Sequence, residues 1–160
     1  MITTIYSKIL SNDTLQETLE VWSAENKVIV FTNGCFDILH RGHVEYLAKA
    51  AELGDKLFVG LNSDKSVRQL KGPERPVQDE CARAVILASL QVVSGVMLFS
   101  EETPYELIKK VQPDVLVKGA DWKIEDIVGY DIVTAKGGRV ETISFVEGHS
   151  TTNIINKVKT

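Results

Sequence analysis

Two histidines three residues apart, His40 and His43, open a segment of helical periodicity, and Asn33-Gly34-Cys35-Phe36-Asp37 runs just ahead of them. At a helix start that spacing puts both imidazoles on one face. Gly42, between them, carries no side chain to block access. The first turn of a helix offers free N–H groups and the positive end of its dipole, which together attract phosphate. Imidazoles placed there can donate hydrogen bonds to a phosphate whose charge builds up during transfer. Gly34 lets the main chain approach a ligand closely, and the N–H groups near 34–36 can form an anion-binding turn. Two plainer readings stay open, a capped helix start and half of a metal site. The metal reading has little to draw on, because the remaining histidine is His149 and no third ligand stands at a standard spacing.

A second cluster, Gly148-His149-Ser150-Thr151-Thr152, precedes the last helical segment. Three hydroxyls at a helix N-terminus make another anion site. Ser150 also suits a simple cap, and a cap can still face a ligand. Two such sites, each placed after a strand-like run, suit a polyphosphate.

The elements that must position these residues alternate. Strand-like apolar runs are expected at Val28–Thr32, Lys56–Leu61, Gly95–Phe99, Asp114–Lys118 and Arg139–Phe145. Between them lie helical segments at Arg41–Leu53, Asp64–Leu70, Gln78–Leu90, Thr103–Val111 (Thr103 as cap, Pro104 first in the helix) and Gly129–Ala135, with Thr151–Val158 last. Asn12–Asp13 caps an earlier helix carrying Leu15, Leu19 and Trp22, and Lys71–Val77 reads as a loop. Strand–helix alternation predicts an α/β fold: one doubly wound, Rossmann-like domain of about five mostly parallel strands with helices on both faces. Residues 1–27 form an N-terminal segment with one helix, and 28–160 form the globular unit. Ligands in such sheets bind beyond the C-terminal strand ends, so the search narrows to the residues just after Thr32, Leu61, Phe99, Lys118 and Phe145.

Composition agrees with this reading. The chain has 160 residues, 44% apolar and 25% charged, ordinary values for one globular domain. A net charge of −4 without a basic stripe argues against nucleic acid as a partner. No apolar run is long enough for a membrane span, and no leader pattern is visible. Cys35 and Cys81 are too few for a disulfide framework, so a reducing cytoplasm is expected.

Thr32–His43 (TNGCFDILHRGH) resembles the first signature of the cytidylyltransferase-like nucleotidyltransferases, and Ser150-Thr151-Thr152 resembles their second. Within that superfamily the chain is most similar to the heptose 1-phosphate adenylyltransferases, through Lys8–Trp22, Ser66–Pro76, Phe99–Lys118 and Gly148–Ile155. The kinase half of the bifunctional forms is missing from this sequence. The resemblance implies that a sugar 1-phosphate attacks the α-phosphorus of ATP in line and expels pyrophosphate, with Mg²⁺ held mainly by the nucleotide and no metal held mainly by protein. It assigns His40, His43 and Lys71 to catalysis. Thr32, Asn33, Gly34, Cys35, Phe36, Asp37 and Gly42 fall to the nucleotide and its phosphates, with Asp37 orienting the turn. Lys118, Gly119 and Asp121 line the nucleotide pocket, and Ser150, Thr151 and Thr152 take the β- and γ-phosphates. Asp64, Arg75 and Arg83 are candidates for the sugar phosphate; capping is the plainer role of Asp64, and a surface position that of Arg83.

The departures matter. Gln91 and Ser94 stand where related cytidylyltransferases have Arg and Asp, which puts a carried-over oligomer geometry in doubt. Phe145 replaces an arginine of the glycerol-phosphate relatives, which weakens a CTP and glycerol 3-phosphate reading. A non-catalytic nucleotide-binding module and a flavodoxin-like redox protein are the remaining rivals. Relatives imply a homodimer or larger, and Ile2, Ile5, Tyr6, Ile9 and Leu10 can pack on a partner or on their own domain.

Overall fold

The structure, a computed structural model, describes residues 1–159. Strand β1 (Ile29–Gly34) is central, paired in parallel with β2 (Lys56–Asn62) on one side and β4 (Val115–Gly119) on the other. β3 (Gly95–Phe99) lies outside β2 and β5 (Arg139–Ile143) outside β4, so the order is β3-β2-β1-β4-β5 and every pair is parallel. The chain winds outward from β1 in one direction and then, from β4, in the other. That reversal is the topological switch of a Rossmann-like sheet, and it leaves a crevice at the C-terminal ends of β1 and β4.

Strand side chains alternate between two cores, as their period of two requires. Val30, Leu57, Val59, Val96, Val115 and Val117 face α3 (Arg41–Ala51) and α5 (Glu80–Ser89) through Leu47, Ala50, Ala84, Leu87 and Ala88. Phe31, Phe58, Met97 and Leu116 face the other way. They meet Leu15 and Trp22 of α2 (Asn12–Ala24), Ile108 and Val111 of α6 (Tyr105–Val111), and Val133 of α7 (Tyr130–Ala135). Phe31 and Phe58 stack with centroids 5.8 Å apart. Burial on both faces explains why these strands read as unbroken apolar runs.

Most elements fall where the residue pattern puts them, and the differences lie at their ends. Ser11, rather than Asn12 or Asp13, caps α2: its Oγ accepts from Thr14 N while Thr14 Oγ1 accepts from Ser11 N. Pro104 is itself the cap of α6, and Asp79 caps α5 by accepting from Ala82 N. β5 stops at Ile143, so Phe145 lies beyond it. A short helix α1 (Ile2–Tyr6) and a 3-10 turn at Ile124–Asp126 carry no periodicity to announce them. After α1 the chain runs along the edge of β3. Val96 N donates to Lys8 O and Leu10 N to Val96 O, which covers an edge that would otherwise stay open. Leu10, Ile5 and Ile9 thereby pack on the chain's own core, whereas Ile2 and Tyr6 stay exposed. Ser94, where related cytidylyltransferases have Asp, accepts from Leu57 N, while Gln91 is exposed. Among the described residues no helix is long and apolar enough to cross a membrane.

Between α7 and β5 the chain passes so close to β4 that a Cβ on Gly138 would lie 2.4 Å from Asp114 O and 2.8 Å from Val133 Cγ1. One of these neighbours is backbone and cannot yield cheaply. Gly138→Ala is expected to lower stability by about 2 kcal/mol, read as a lower urea midpoint with an unchanged slope.

Candidate functional site

The crevice predicted by the topology opens into a cavity of about 430 Å³. Each of the first four strands delivers a residue to it from its C-terminal end: Asn33 and Gly34, Asn62, Phe99, and Lys118. Cys35, His43, Lys71, Glu102 and Trp122 complete much of the wall. A larger groove of about 600 Å³, lined by Leu19, Val28, Val111 and Lys136, contains none of the residues singled out from the sequence.

His40 is the N-cap residue of α3 and His43 its third helical residue. Their rings stack with centroids 3.9 Å apart, and His43 Nδ1 accepts from His40 N at 3.4 Å. Phe36 packs on the other side of His43 at 5.4 Å. Burial, then the neighbouring His40 ring and Lys71, push His43 down to about 4, so its imidazole is neutral at neutral pH. Burial and His149 also lower His40. His149, to which the residue pattern gives no role of its own, brings its ring to 6.3 Å from that of His40. Gly42 permits this crowding: a Cβ there would sit 2.9 Å from the His40 ring. His40 Nδ1 is buried without a hydrogen-bond partner.

The turn between β1 and α3 holds Phe36 and Ile38 at φ 46° and 51°, a left-handed conformation that is costly for side chains of this kind. A buried carboxylate holds it there. Asp37 accepts from Val77 N at 2.8 Å, Gln78 N at 3.0 Å and Arg75 Nε at 2.9 Å. Burial alone would raise the Asp37 carboxyl, but these bonds outweigh it and hold it below its ordinary value. Thr151 Oγ1 donates to Asp37 O at 2.7 Å, tying in the start of α8 (Thr151–Val158).

Arg83 supports the turn from below. It is 1% exposed, not on the surface, and its guanidinium donates to Cys35 O, Asn62 O, Gln78 O and Asp64 Oδ1 at 2.7–3.0 Å. Ser63, not Asp64, caps α4 (Asp64–Lys71) through Ser66 N. Asp64, Arg75 and Arg83 are therefore engaged with other parts of the chain, and none of them lines the cavity. Thr32 also lies outside it, fully buried with its hydroxyl bonded to Tyr46 OH at 2.8 Å.

The remaining candidates lie around the rim. Lys71 is exposed at the end of α4, between the cavity and a groove shared with Arg75 and Thr152. Lys118 Nζ donates to Asn33 Oδ1 at 3.4 Å, and burial lowers its ammonium below the ordinary lysine value. Gly119 lies under the Phe145 ring, where a Cβ would come within 2.2 Å, and that ring stacks on Tyr46. Asp121 is exposed on the loop after β4. Ser150 caps α8 by accepting from Asn153 N. Burial raises the Cys35 thiol despite three nearby cations, so it is protonated at neutral pH. Among the described residues no group of three His, Cys, Asp or Glu side chains is placed to hold a metal ion. Asn62, Glu102 and Trp122 are cavity residues to which the residue pattern gives no role of their own. For Glu102 the signal was available, because it stands three residues past the end of β3.

The Cytidylyltransferase-like family profile matches residues 31–157. The chain is 55% identical over 152 residues to the bifunctional protein HldE of Syntrophotalea carbinolica, covering 95% of this chain and 31% of that protein. The HldE of Wolinella succinogenes is 51% identical over the same shares of each chain. This chain thus spans about a third of the length of those relatives. Among solved structures, the lipopolysaccharide core biosynthesis protein of Thermoplasma volcanium superposes with a TM-score of 0.62 at 29% identity, covering 77% of this chain and 99% of that one. A pantoate-beta-alanine ligase from Francisella tularensis, at 16% identity and a TM-score of 0.56, shares the fold.

A histidine pushed from its ordinary value of 6.5 down to about 4 binds its proton more readily in the unfolded chain. Its contribution is complete above pH 6.5 and is lost as pH falls towards 4, at most about 3 kcal/mol for that shift. The Asp37 carboxyl, held low, titrates below this window. Urea unfolding of the wild type should therefore weaken between pH 6.5 and 4, and His43→Gln should flatten that slope.

Proposed function

The chain belongs to the cytidylyltransferase-like family, and on that premise we propose that it transfers AMP from ATP to a heptose 1-phosphate, releasing pyrophosphate and forming ADP-heptose. The observation that carries this reading is the stacked His40–His43 pair at the N-terminus of α3, on the wall of a cavity at the switch point of the sheet. A phosphate oxygen of the sugar attacks the α-phosphorus, and the bond from that phosphorus to the bridging oxygen breaks as pyrophosphate leaves. No protein nucleophile is required, in keeping with a protonated Cys35 thiol. The protein's task is positioning and the stabilisation of charge.

The residues supply both. His43 is neutral and accepts at Nδ1 from His40 N, so its other nitrogen carries the proton and donates. Such a donor strengthens as negative charge grows on the phosphate. The main chain at Gly34, Cys35 and Phe36 presents N–H groups to the same phosphates. Lys71 is free to swing in from the rim. Ser150, Thr151 and Thr152 offer the open end of α8 to the β- and γ-phosphates; the Thr151 hydroxyl already donates to Asp37 O, so Thr151 contributes through its main chain. Gly119 and Asp121 border the nucleoside. Asp37, Arg75, Asp64 and Arg83 act by holding the turn, not by touching substrate. The donor set fits a divalent ion carried in by the triphosphate, with no acidic cage of the protein's own among the described residues. Bound that way, Mg²⁺ supplies neutralisation of phosphate charge.

Identity to HldE proteins over nearly the whole chain supports nucleotidyl transfer, and the lipopolysaccharide-core relative from Thermoplasma supports a cell-surface sugar as acceptor. Both substrates are water-soluble anions, which suits the cytoplasm. Purified protein with Mg²⁺ is expected to release pyrophosphate from ATP plus β-heptose 1-phosphate, and not from CTP plus glycerol 3-phosphate. The reverse outcome would overturn the substrates and keep the fold. His43→Ala should lower kcat by about 10²–10³-fold while ATP affinity, followed by calorimetry, changes only a few-fold. Retained turnover in that variant would remove the histidines from the mechanism.

A further inference from the structure

We propose that the 430 Å³ cavity is the acceptor pocket, in which Asn62, Glu102 and Trp122 recognise the hydroxyl-rich body of a sugar 1-phosphate, while the nucleotide triphosphate lies on the opposite flank of the histidine pair. This rests on the transfer reaction proposed above and names where its second substrate sits. The stacked imidazoles form a partition. His43 lines the cavity, whereas His40 does not and turns instead towards His149 and the start of α8. A reaction between two anionic substrates needs them on two sides of one set of donors, and this partition provides the two sides.

The cavity is itself graded. At its inner end are Gly34, Cys35 and Lys118, with Lys71 at the rim, a cationic and N–H-rich surface suited to the reacting phosphate. At the far side Glu102 and Trp122 project from the loops after β3 and β4. A carboxylate is the wrong group for a phosphate and the right one for hydroxyls, which donate to it. Asn62 is 4% exposed on the floor; its Nδ2 is engaged with Ser66 Oγ, so it offers a ligand the Oδ1 acceptor. Trp122 is 54% exposed, with an indole face free to cover the C–H side of a sugar ring. Acceptors for hydroxyls, an aromatic shelf and a cationic end together describe a sugar phosphate better than a bare phosphate or an apolar acid. The basic residues that the sequence offers for this role, Arg75 and Arg83, are committed to Asp37 and to main-chain carbonyls.

The test uses Glu102→Gln and Trp122→Ala, both at exposed positions, with thermal midpoints checked against wild type. ATP binding is measured by calorimetry without acceptor, and KM for β-heptose 1-phosphate from pyrophosphate release. ATP Kd should stay within about twofold, and KM for the sugar phosphate should rise about tenfold or more, as loss of a hydrogen bond to a charged group implies. Inorganic phosphate, used as a competitor of the sugar phosphate, should keep its inhibition constant in Glu102→Gln and lose affinity in Lys118→Ala. Weakened ATP binding with an unchanged sugar-phosphate KM would give the cavity to the nucleotide and overturn the proposal, as would no change in either quantity. A wild type that binds ATP yet turns over no heptose phosphate would instead overturn the reaction on which the proposal rests.

Discussion

A carboxylate buried almost completely must be satisfied in full or it destabilises everything around it, and the site is built around one such group. Asp37 gathers two backbone N–H groups and a guanidinium from the 75–78 segment, while its own carbonyl receives the Thr151 hydroxyl. Three pieces of chain that are distant in sequence therefore share one residue: the turn after β1, the loop before α5 and the start of α8. The left-handed Phe36 and Ile38 beside it would relax into ordinary turn geometry without that constraint. Arg83 closes the opposite side by fixing the carbonyls of Cys35 and Asn62. With those carbonyls turned down onto the guanidinium, the N–H groups of the same turn are left to face the cavity. Orientation of an anion site is thus settled one layer beneath the atoms that would touch the anion.

Electrostatics at the surface of the site arise from the same packing. The imidazoles are crowded against each other, Phe36 and Lys71, and that crowding removes their charge at neutral pH. Neutral donors suit a transfer whose charge appears mainly in the transition state, because they do not bind the ground-state triphosphate with the full strength of a cation. Formal positive charge is left to Lys71, exposed at the rim, and Lys118, held by Asn33 at the end of β4. The chain's net charge of −4 is no obstacle, since the field that matters is set by these few groups and by main-chain dipoles within the crevice.

How much of this could be read from residues alone depended on how local the cause was. β3, spanning Gly95–Phe99, and the last helix, Thr151–Val158, fall on their predicted bounds because apolar runs and a Ser cap are local signals. The histidine pair was legible for the same reason, three residues apart at a helix start. Arg83 was not: its partners Cys35 and Asn62 stand 48 and 21 residues away, so nothing in its own neighbourhood distinguishes a buried clamp from a surface arginine. Asp64 and Arg75 were misplaced by the same blindness, since a charged residue near a strand end looks equally suited to a ligand or to another side chain. Phe145 fell inside an expected strand because its apolar character continued the run, whereas pairing with β4 ends at Ile143 and leaves the ring to fold back over Gly119.

Position in the sheet explains why one short turn can serve two substrates. β1 is the strand from which the winding departs in both directions, so its C-terminal turn has open space on either side and no crossover above it. Loops from β2 and β3 close one side, and loops from β4 and β5 the other. The turn after β1 is the backbone common to both compartments, and it is held tightly, by Asp37 above and Arg83 below. Residues that differ in what they recognise, such as Glu102, Trp122 and Phe145, all come from the outer loops. A division of that kind lets the outer loops change with the substrate while the geometry at the reacting phosphate stays fixed, because the bonds that fix it run beneath the turn and not through the loops after β3 and β4.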